Sequence, residues 1–171
     1  GHHRPFLPLQ HGFDEYFGLP YSNDMWPVDF DGKPATQGNK AKYPPLPLIR
    51  NNDQVGVVRT LKDQDTRTGL YTQHALRFID RNRRRPFFLY LPHSMVHIPL
   101  GASAAFRGRS RAGLYGDVMM EVDDSVGRIL ERLGRHGLEQ DTLVIFLSDN
   151  GPWLNFGSHA GSREDTGREL W

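Results

Sequence analysis

The chain has 171 residues, of which 37% are hydrophobic and 24% charged, which is enough for one domain with a buried core. Its 21 basic and 20 acidic side chains nearly cancel, so no global field recruits nucleic acid or an anionic membrane. Cysteine is absent, which excludes disulfides and thiolate metal sites within the chain, and no apolar run approaches the roughly 18 residues of a membrane span.

The opening GHHRPFLPLQHGFDEYFG has no initiator methionine and no signal-peptide pattern, and it reads as a piece cut from a longer protein. From Gly1 to about Asn52 the chain is rich in Pro, Gly, Asn and aromatic residues without sustained periodicity. Residues 1–64 are therefore expected to be a loop-rich segment pinned by aromatics. The stretch KPATQGNKAKYPPLPL is its least structured part, an extended surface connection.

From Asp65 the pattern changes. Leu70, Tyr71, His74, Ala75, Phe78 and Ile79 recur with a 3.6-residue period, and Asp65 or Thr66 is placed to cap the helix they predict. Arg81, Arg83, Arg84 and Arg85 follow as a solvated helix end, where cations suit the dipole. PFFLYLP is a short apolar run between prolines and predicts a strand. A second helix is expected from about Gly113 to Leu133, with Leu114, Val118, Met119, Val122, Val126, Ile129, Leu130 and Leu133 as its apolar stripe. Met119 and Met120 read as core or gap filling, and Gly134 and Gly137 as the stop.

TLVIFL, residues 142–147, is a continuous apolar run of the kind a sheet buried on both faces requires. Strand, helix, strand in this order predicts an α/β fold with a mostly parallel central sheet flanked by helices. Residues 65–161 form the expected α/β core segment and 162–171 a divergent tail. Ligands in such folds collect beyond the carboxyl ends of strands, where HSMVHIPL and SDNGP fall.

Asp149 and Asn150 offer adjacent oxygens that suit calcium or magnesium better than zinc, although Asp-Asn-Gly after a strand is also ordinary turn chemistry. His93 and His97 have His-x-x-x-His spacing, but Pro92 and Pro99 argue against the helix that a zinc pair needs. A single histidine acting on an anionic substrate is the better functional reading, with a structural histidine as its rival. Asp123 and Asp124 point about 100° apart on their helix and read as surface groups.

Four segments, FLPLQHGFDEYFGLPYSNDM, PFFLYLPHSMVHIPL, YGDVMMEVDDSVGRILERL and LVIFLSDNGP, occur in the order and spacing of the sulfatase family. Over roughly Phe6 to Gly161 the chain most resembles the arylsulfatase A-like branch of that family. The resemblance implies an alkaline-phosphatase-like α/β fold, here incomplete, and hydrolysis of sulfate esters on a sulfated small molecule or glycan. It implies a calcium or similar divalent ion held by two early aspartates and a later Asp-Asn pair, the latter matched by Asp149 and Asn150. His97 falls on a histidine that contacts the sulfate, which makes it the candidate catalytic and substrate-binding residue. The family's nucleophile is the hydrate of formylglycine, made from cysteine in a Cys-x-Pro-x-Arg segment.

The departures are specific. No cysteine is present, so the chain carries no such nucleophile. The early metal aspartates are expected upstream of Gly1, and the family's Lys-x-His segment just before the Phe6 region, so His2 and His3 are not credited with its role. The family's later sulfate-binding lysine has no counterpart, because no lysine follows Lys62, and Arg168 in the tail is not equivalent to a fitted ammonium. A phosphodiesterase or phosphonate hydrolase of the same superfamily, or a non-catalytic module binding a sulfated glycan or protein, are the alternatives. An exported, periplasmic or lysosomal location is implied by the resemblance alone.

Overall fold

The computed structural model describes residues 1–29 and 31–150. The tail expected at 162–171 and the last part of the α/β core segment lie outside the described residues.

The first segment holds more regular structure than its composition predicts. Short 3-10 turns at Arg4–Phe6 and Pro8–His11 each start with a proline in the first turn, where its fixed φ is favourable. Strands β1 (Phe17–Gly18), β2 (Leu46–Arg50) and β3 (Asp53–Val58) then form an antiparallel sheet in the order β1-β2-β3. Arg50 pairs with Asp53, leaving Asn51 and Asn52 as a two-residue turn. Asn51 takes φ 57°, a left-handed conformation that Asn tolerates better than most side chains. Pro47 sits in β2 because β1 reaches only Ile49 and Arg50, so there is no full ladder on that side for proline to break. Trp26, Val28, Leu46 and Val58 pack beside this sheet as one apolar cluster.

Helix α1 (Leu61–Gln64) begins at a capping box. The Thr60 hydroxyl accepts from the Asp63 amide, and the Asp63 carboxylate accepts from the Thr60 amide. Helix α2 (Arg67–Asn82) follows at the expected place, but Thr66 makes no side-chain cap to it. Its buried face is rotated from the expected stripe. Thr68, Thr72 and Leu76 are buried with Tyr71, Ala75 and Ile79, whereas Leu70, His74 and Phe78 are only partly covered.

Helix α3 (Gly113–Arg135) runs two residues past the expected end, through Gly134; Gly137, at φ 67°, follows its C-cap His136. Val118 and Val122 join Met95, Ile98, Leu100 and Ala102 in a second apolar cluster. Met119, Met120 and Leu130 are a correction to the sequence reading: each is more than 40% exposed, on the side of α3 turned away from that cluster. Asp117 and Glu121 are buried instead. Asp117 accepts from the amides of Gly108 and Ser110 at 2.7 Å each, and Glu121 accepts from the Ser103 amide at 2.8 Å. Two carboxylates one helical turn apart thus hold the 103–110 loop to α3.

The expected parallel sheet is not shown among the described residues. Residues 86–91 and 142–147 have no assigned regular structure and pair neither with each other nor with β1, β2 or β3, and among the described residues the paired sheet is antiparallel. Phe88 is 73% exposed and Leu143 86%. A strand of the buried parallel type is defined by ladders on its flanks, and the described residues supply neither run with one.

Asp80, near the end of α2, ties the two long helices together. It accepts from Arg132 and, at 2.8 Å, from His136 Nε2 on the α3 side. The His136 and then the Arg132 hydrogen bonds hold its carboxyl below the usual carboxylate range. A depressed folded-state pKa means the tie contributes above the unfolded Asp value of about 3.9 and is lost as pH falls through the lowered value. Asp80→Asn should therefore lower the urea midpoint at pH 7 by more than it does at a pH below the unfolded Asp value of about 3.9. An equal gap at both pH values would show that the effect is not the ionic tie.

Candidate functional site

Between the N-terminal segment, α2 and segment 88–94 lies a cleft of about 940 Å³. His93, His97 and Asp149 all line it, whereas Asn150 does not. Asp149 and Asn150 are exposed at the end of the 142–147 run, where Ser148 Oγ donates to the Asn150 carbonyl at 2.6 Å, the local bonding of a turn. Among the described residues no group of three or more His, Cys, Asp or Glu side chains converges as a metal site. Calcium takes six to eight oxygens, so these two residues alone do not fit a resident cation.

His97 is fixed by backbone contacts. Its amide donates to Ser94 O at 3.1 Å, and its Nδ1, 2.6 Å from the carbonyl of Ile98, carries the proton of that contact because a carbonyl only accepts. The loop behind it is held from the far side by a residue the sequence did not single out. Asn23 is buried, and its amide group donates to the carbonyls of His97 and Pro99 at 3.3 and 3.4 Å. The Asn23 carbonyl accepts in turn from buried Gln64 at 2.9 Å. The polar residues of YSND and the end of α1 therefore set where His97 stands.

His93 belongs to a different arrangement from the pair its spacing suggests. Its Nε2 lies 3.1 Å from Ser125 Oγ, which is 2.6 Å from Thr72 Oγ1. Thr72 Oγ1 is also 2.7 Å from the Thr68 carbonyl. The chain of hydroxyls joins α2, α3 and the 92–94 segment across the core. Burial pushes the His93 imidazole below its usual pKa, so it is neutral, and its Nδ1 has no partner among the described residues. A neutral histidine between two helices fits the structural reading that is the rival of a histidine acting on an anionic substrate. Asp123 and Asp124 are exposed, as expected, with Asp124 3.6 Å from Arg128 one turn along.

Comparison with known proteins gives this geometry its context. The sulfatase family model matches residues 3–170. N-acetylgalactosamine-6-sulfatase of Mus musculus is 42% identical over 162 residues, 90% of this chain and 29% of that protein. Arylsulfatase A of Homo sapiens is 34% identical over 152 residues, 86% of this chain and 30% of that one. The chain thus spans under a third of the length of these relatives, and the expected likeness to the arylsulfatase branch of the sulfatases is borne out. The crystal structure of Ps i-CgsB in complex with k-i-k-neocarrahexaose aligns with a TM-score of 0.55 at 24% identity, over 78% of this chain and 31% of that one, which bears on the fold alone. Since the family match runs through nearly every residue of the chain, this protein belongs to the sulfatase family.

Proposed function

We propose that the chain is part of a sulfuric ester hydrolase that acts on a sulfated small molecule or glycan. The observation that carries the reading is the meeting of His97 and Asp149, from segments more than fifty positions apart, on one cleft of a sulfatase-family chain. His97 is the residue proposed to act on the substrate. Held through Nδ1 by the Ile98 carbonyl, its ring has a fixed orientation, and in the intact enzyme it stabilises charge on the departing alcohol as a hydrogen-bond donor or acid. Asn23 is a positioning residue, because it acts through the His97 backbone.

Asp149 and Asn150 are proposed as two of the oxygen ligands of a calcium or similar ion, whose other ligands come from outside the described residues. No step is assigned to that ion. Nor is a step assigned to formylglycine, which a chain without cysteine does not form. A phosphodiesterase or phosphonate hydrolase would carry Thr or Ser where sulfatases carry the cysteine, and the natural reading frame decides between them. The lack of cysteine also keeps a non-catalytic module that binds a sulfated glycan or protein as the second reading. An exported location is proposed on family membership; among the described residues no helix is long and apolar enough to cross a membrane.

The test is the protein expressed from its natural full-length reading frame and assayed with an aryl sulfate. His97→Ala should lower kcat by roughly 10²-fold to 10⁴-fold, the usual worth of a positioned acid or base. An unchanged kcat would remove His97 from the chemistry, and an inactive wild type would favour the binding module.

A further inference from the structure

One wall of the cleft carries more positive charge than a single sulfate at His97 accounts for. Arg50, His74, Arg77 and Arg81 all line it. Positions 74, 77 and 81 have the spacing of one stripe of α2, and Arg50 ends β2 beside them. The Phe17 ring stacks on the His74 imidazole with centroids 3.6 Å apart and planes at 12°, and the Arg50 guanidinium lies 5.8 Å from the centroid of the same ring. Burial first, then Arg50, Arg77 and Arg81, push the His74 imidazole below its usual pKa, so the fixed charge of the wall is guanidinium charge.

The carboxylates nearby neutralise it only in part. Glu15 engages Arg81 at 2.6 Å. Arg77 is held along its helix by Gln73 at 3.0 Å, a neutral partner. Asp53 sits opposite Arg50 across the hairpin but does not line the cleft. The lining of the cleft thus sets three guanidiniums against two carboxylates, Glu15 and Asp149, in concave surroundings whose low dielectric strengthens the field. Exposed rings line the cleft as well: Phe13 and Phe88 meet with centroids 6.1 Å apart. The volume is at the upper end of the roughly 300–1,000 Å³ of small-molecule sites, room for more than one sugar ring.

We propose that Arg50, Arg77 and Arg81, floored by Phe17 and His74, form a subsite for a second anionic group of an oligosaccharide whose sulfate ester reaches His97. The inference rests on the hydrolase reading for the ligand at His97 but not for the subsite's own binding. Guanidinium forks pair two oxygens of a sulfate or carboxylate at once, which an ammonium does not. The aromatic faces take the C–H side of the neighbouring sugar. A ligand that fills both places is a linear glycan with anionic groups on successive residues.

The experiment is an NMR titration of the chain with a chondroitin 6-sulfate tetrasaccharide, a hyaluronan tetrasaccharide and N-acetylgalactosamine 6-sulfate. Wild type should bind the sulfated tetrasaccharide at least tenfold more tightly than the monosaccharide. The double variant Arg50→Ala, Arg77→Ala should lose that tenfold, with an unchanged thermal midpoint. Hyaluronan, which carries carboxylates without sulfates, separates the two anions: binding that the double variant abolishes assigns the subsite to a carboxylate, and loss confined to the sulfated chain assigns it to a sulfate. The proposal is overturned if no tetrasaccharide binds, or if the double variant binds the sulfated tetrasaccharide as wild type does. His97→Ala reports separately: tetrasaccharide binding that ignores His97 but requires the arginines would retain the subsite and sink the reading of the ester end.

Discussion

Incubated with 4-nitrophenyl sulfate and excess calcium, the 171-residue chain should release no 4-nitrophenol above a buffer blank. The cause is chemical and holds however well the chain folds. The mechanism that the sulfatase resemblance implies runs through a covalent intermediate on formylglycine, and this sequence contains no cysteine from which to make that residue. Removing a nucleophile from an otherwise complete site can leave roughly 10³-fold to 10⁴-fold catalysis over water, supplied by binding and charge stabilisation. That remainder needs preorganised groups around the leaving oxygen. Here His97 is ordered by its backbone contacts, but Asp149 and Asn150 are exposed and no third acidic or imidazole ligand converges on them among the described residues. The loss is therefore expected to be complete within the assay. An Asp149→Ala control sharpens the result, because turnover by wild type that disappears in the variant would reveal a nucleophile in the chain and end the account of it as a partial enzyme.

What the sequence disclosed follows from which signals are local. The helices at 67–82 and 113–135 were legible because their apolar period survives whatever packs on them. Their buried faces were less so. Thr68, Thr72 and Ser125 are buried as a hydrogen-bonded seam between the helices, and a polar seam has no hydrophobic period to read. The β2–β3 hairpin was missed although Asn51-Asn52 between two apolar runs is a turn signal; Pro44, Pro45 and Pro47 directed the reading to an open loop. The strands expected at 86–91 and 142–147 show the opposite case. Their apolar runs are genuine, but a strand is a relation between segments, and composition cannot say whether its neighbours are at hand. At the cleft, His97 and Asp149 were found as residue types after apolar runs, whereas Asn23 was not. It touches backbone 74 positions away, and nothing local to Tyr21–Asp24 marks it. The Arg50, Arg77 and Arg81 wall escaped for the same reason, since it assembles from a strand end and a helix.

Two glycine substitutions should move stability in opposite directions, and the difference reports on how His97 is held. Gly101→Ala should destabilise the chain by the upper part of the ~1–3 kcal/mol that overpacking costs, or more. A Cβ at Gly101 would stand 2.7 Å from the Gln64 carbonyl carbon and 2.8 Å from the Asp65 nitrogen, and both are backbone atoms that no rotamer change can remove. Its neighbours offer no slack, because Leu100 and Ala102 belong to the buried cluster on α3. Relief therefore requires the end of α1 to separate from the 95–102 loop. That movement pulls on Gln64, which donates to the Asn23 carbonyl, and Asn23 holds the His97 and Pro99 carbonyls. Gly127→Ala is the contrasting case. It lies exposed on α3 with nothing within 4 Å of a new Cβ, and Ala is favoured over Gly inside a helix by about 1 kcal/mol. Thermal midpoints should fall by several degrees in the first variant and rise by a few in the second, on the scale of roughly 2–4 °C per kcal/mol for a chain of this size. The His97 ring resonances should shift in Gly101→Ala and stay in place in Gly127→Ala. A Gly101→Ala protein with wild-type midpoint and unmoved His97 resonances would mean that the close approach of the 95–102 loop to α1 does not set the position of the candidate catalytic histidine.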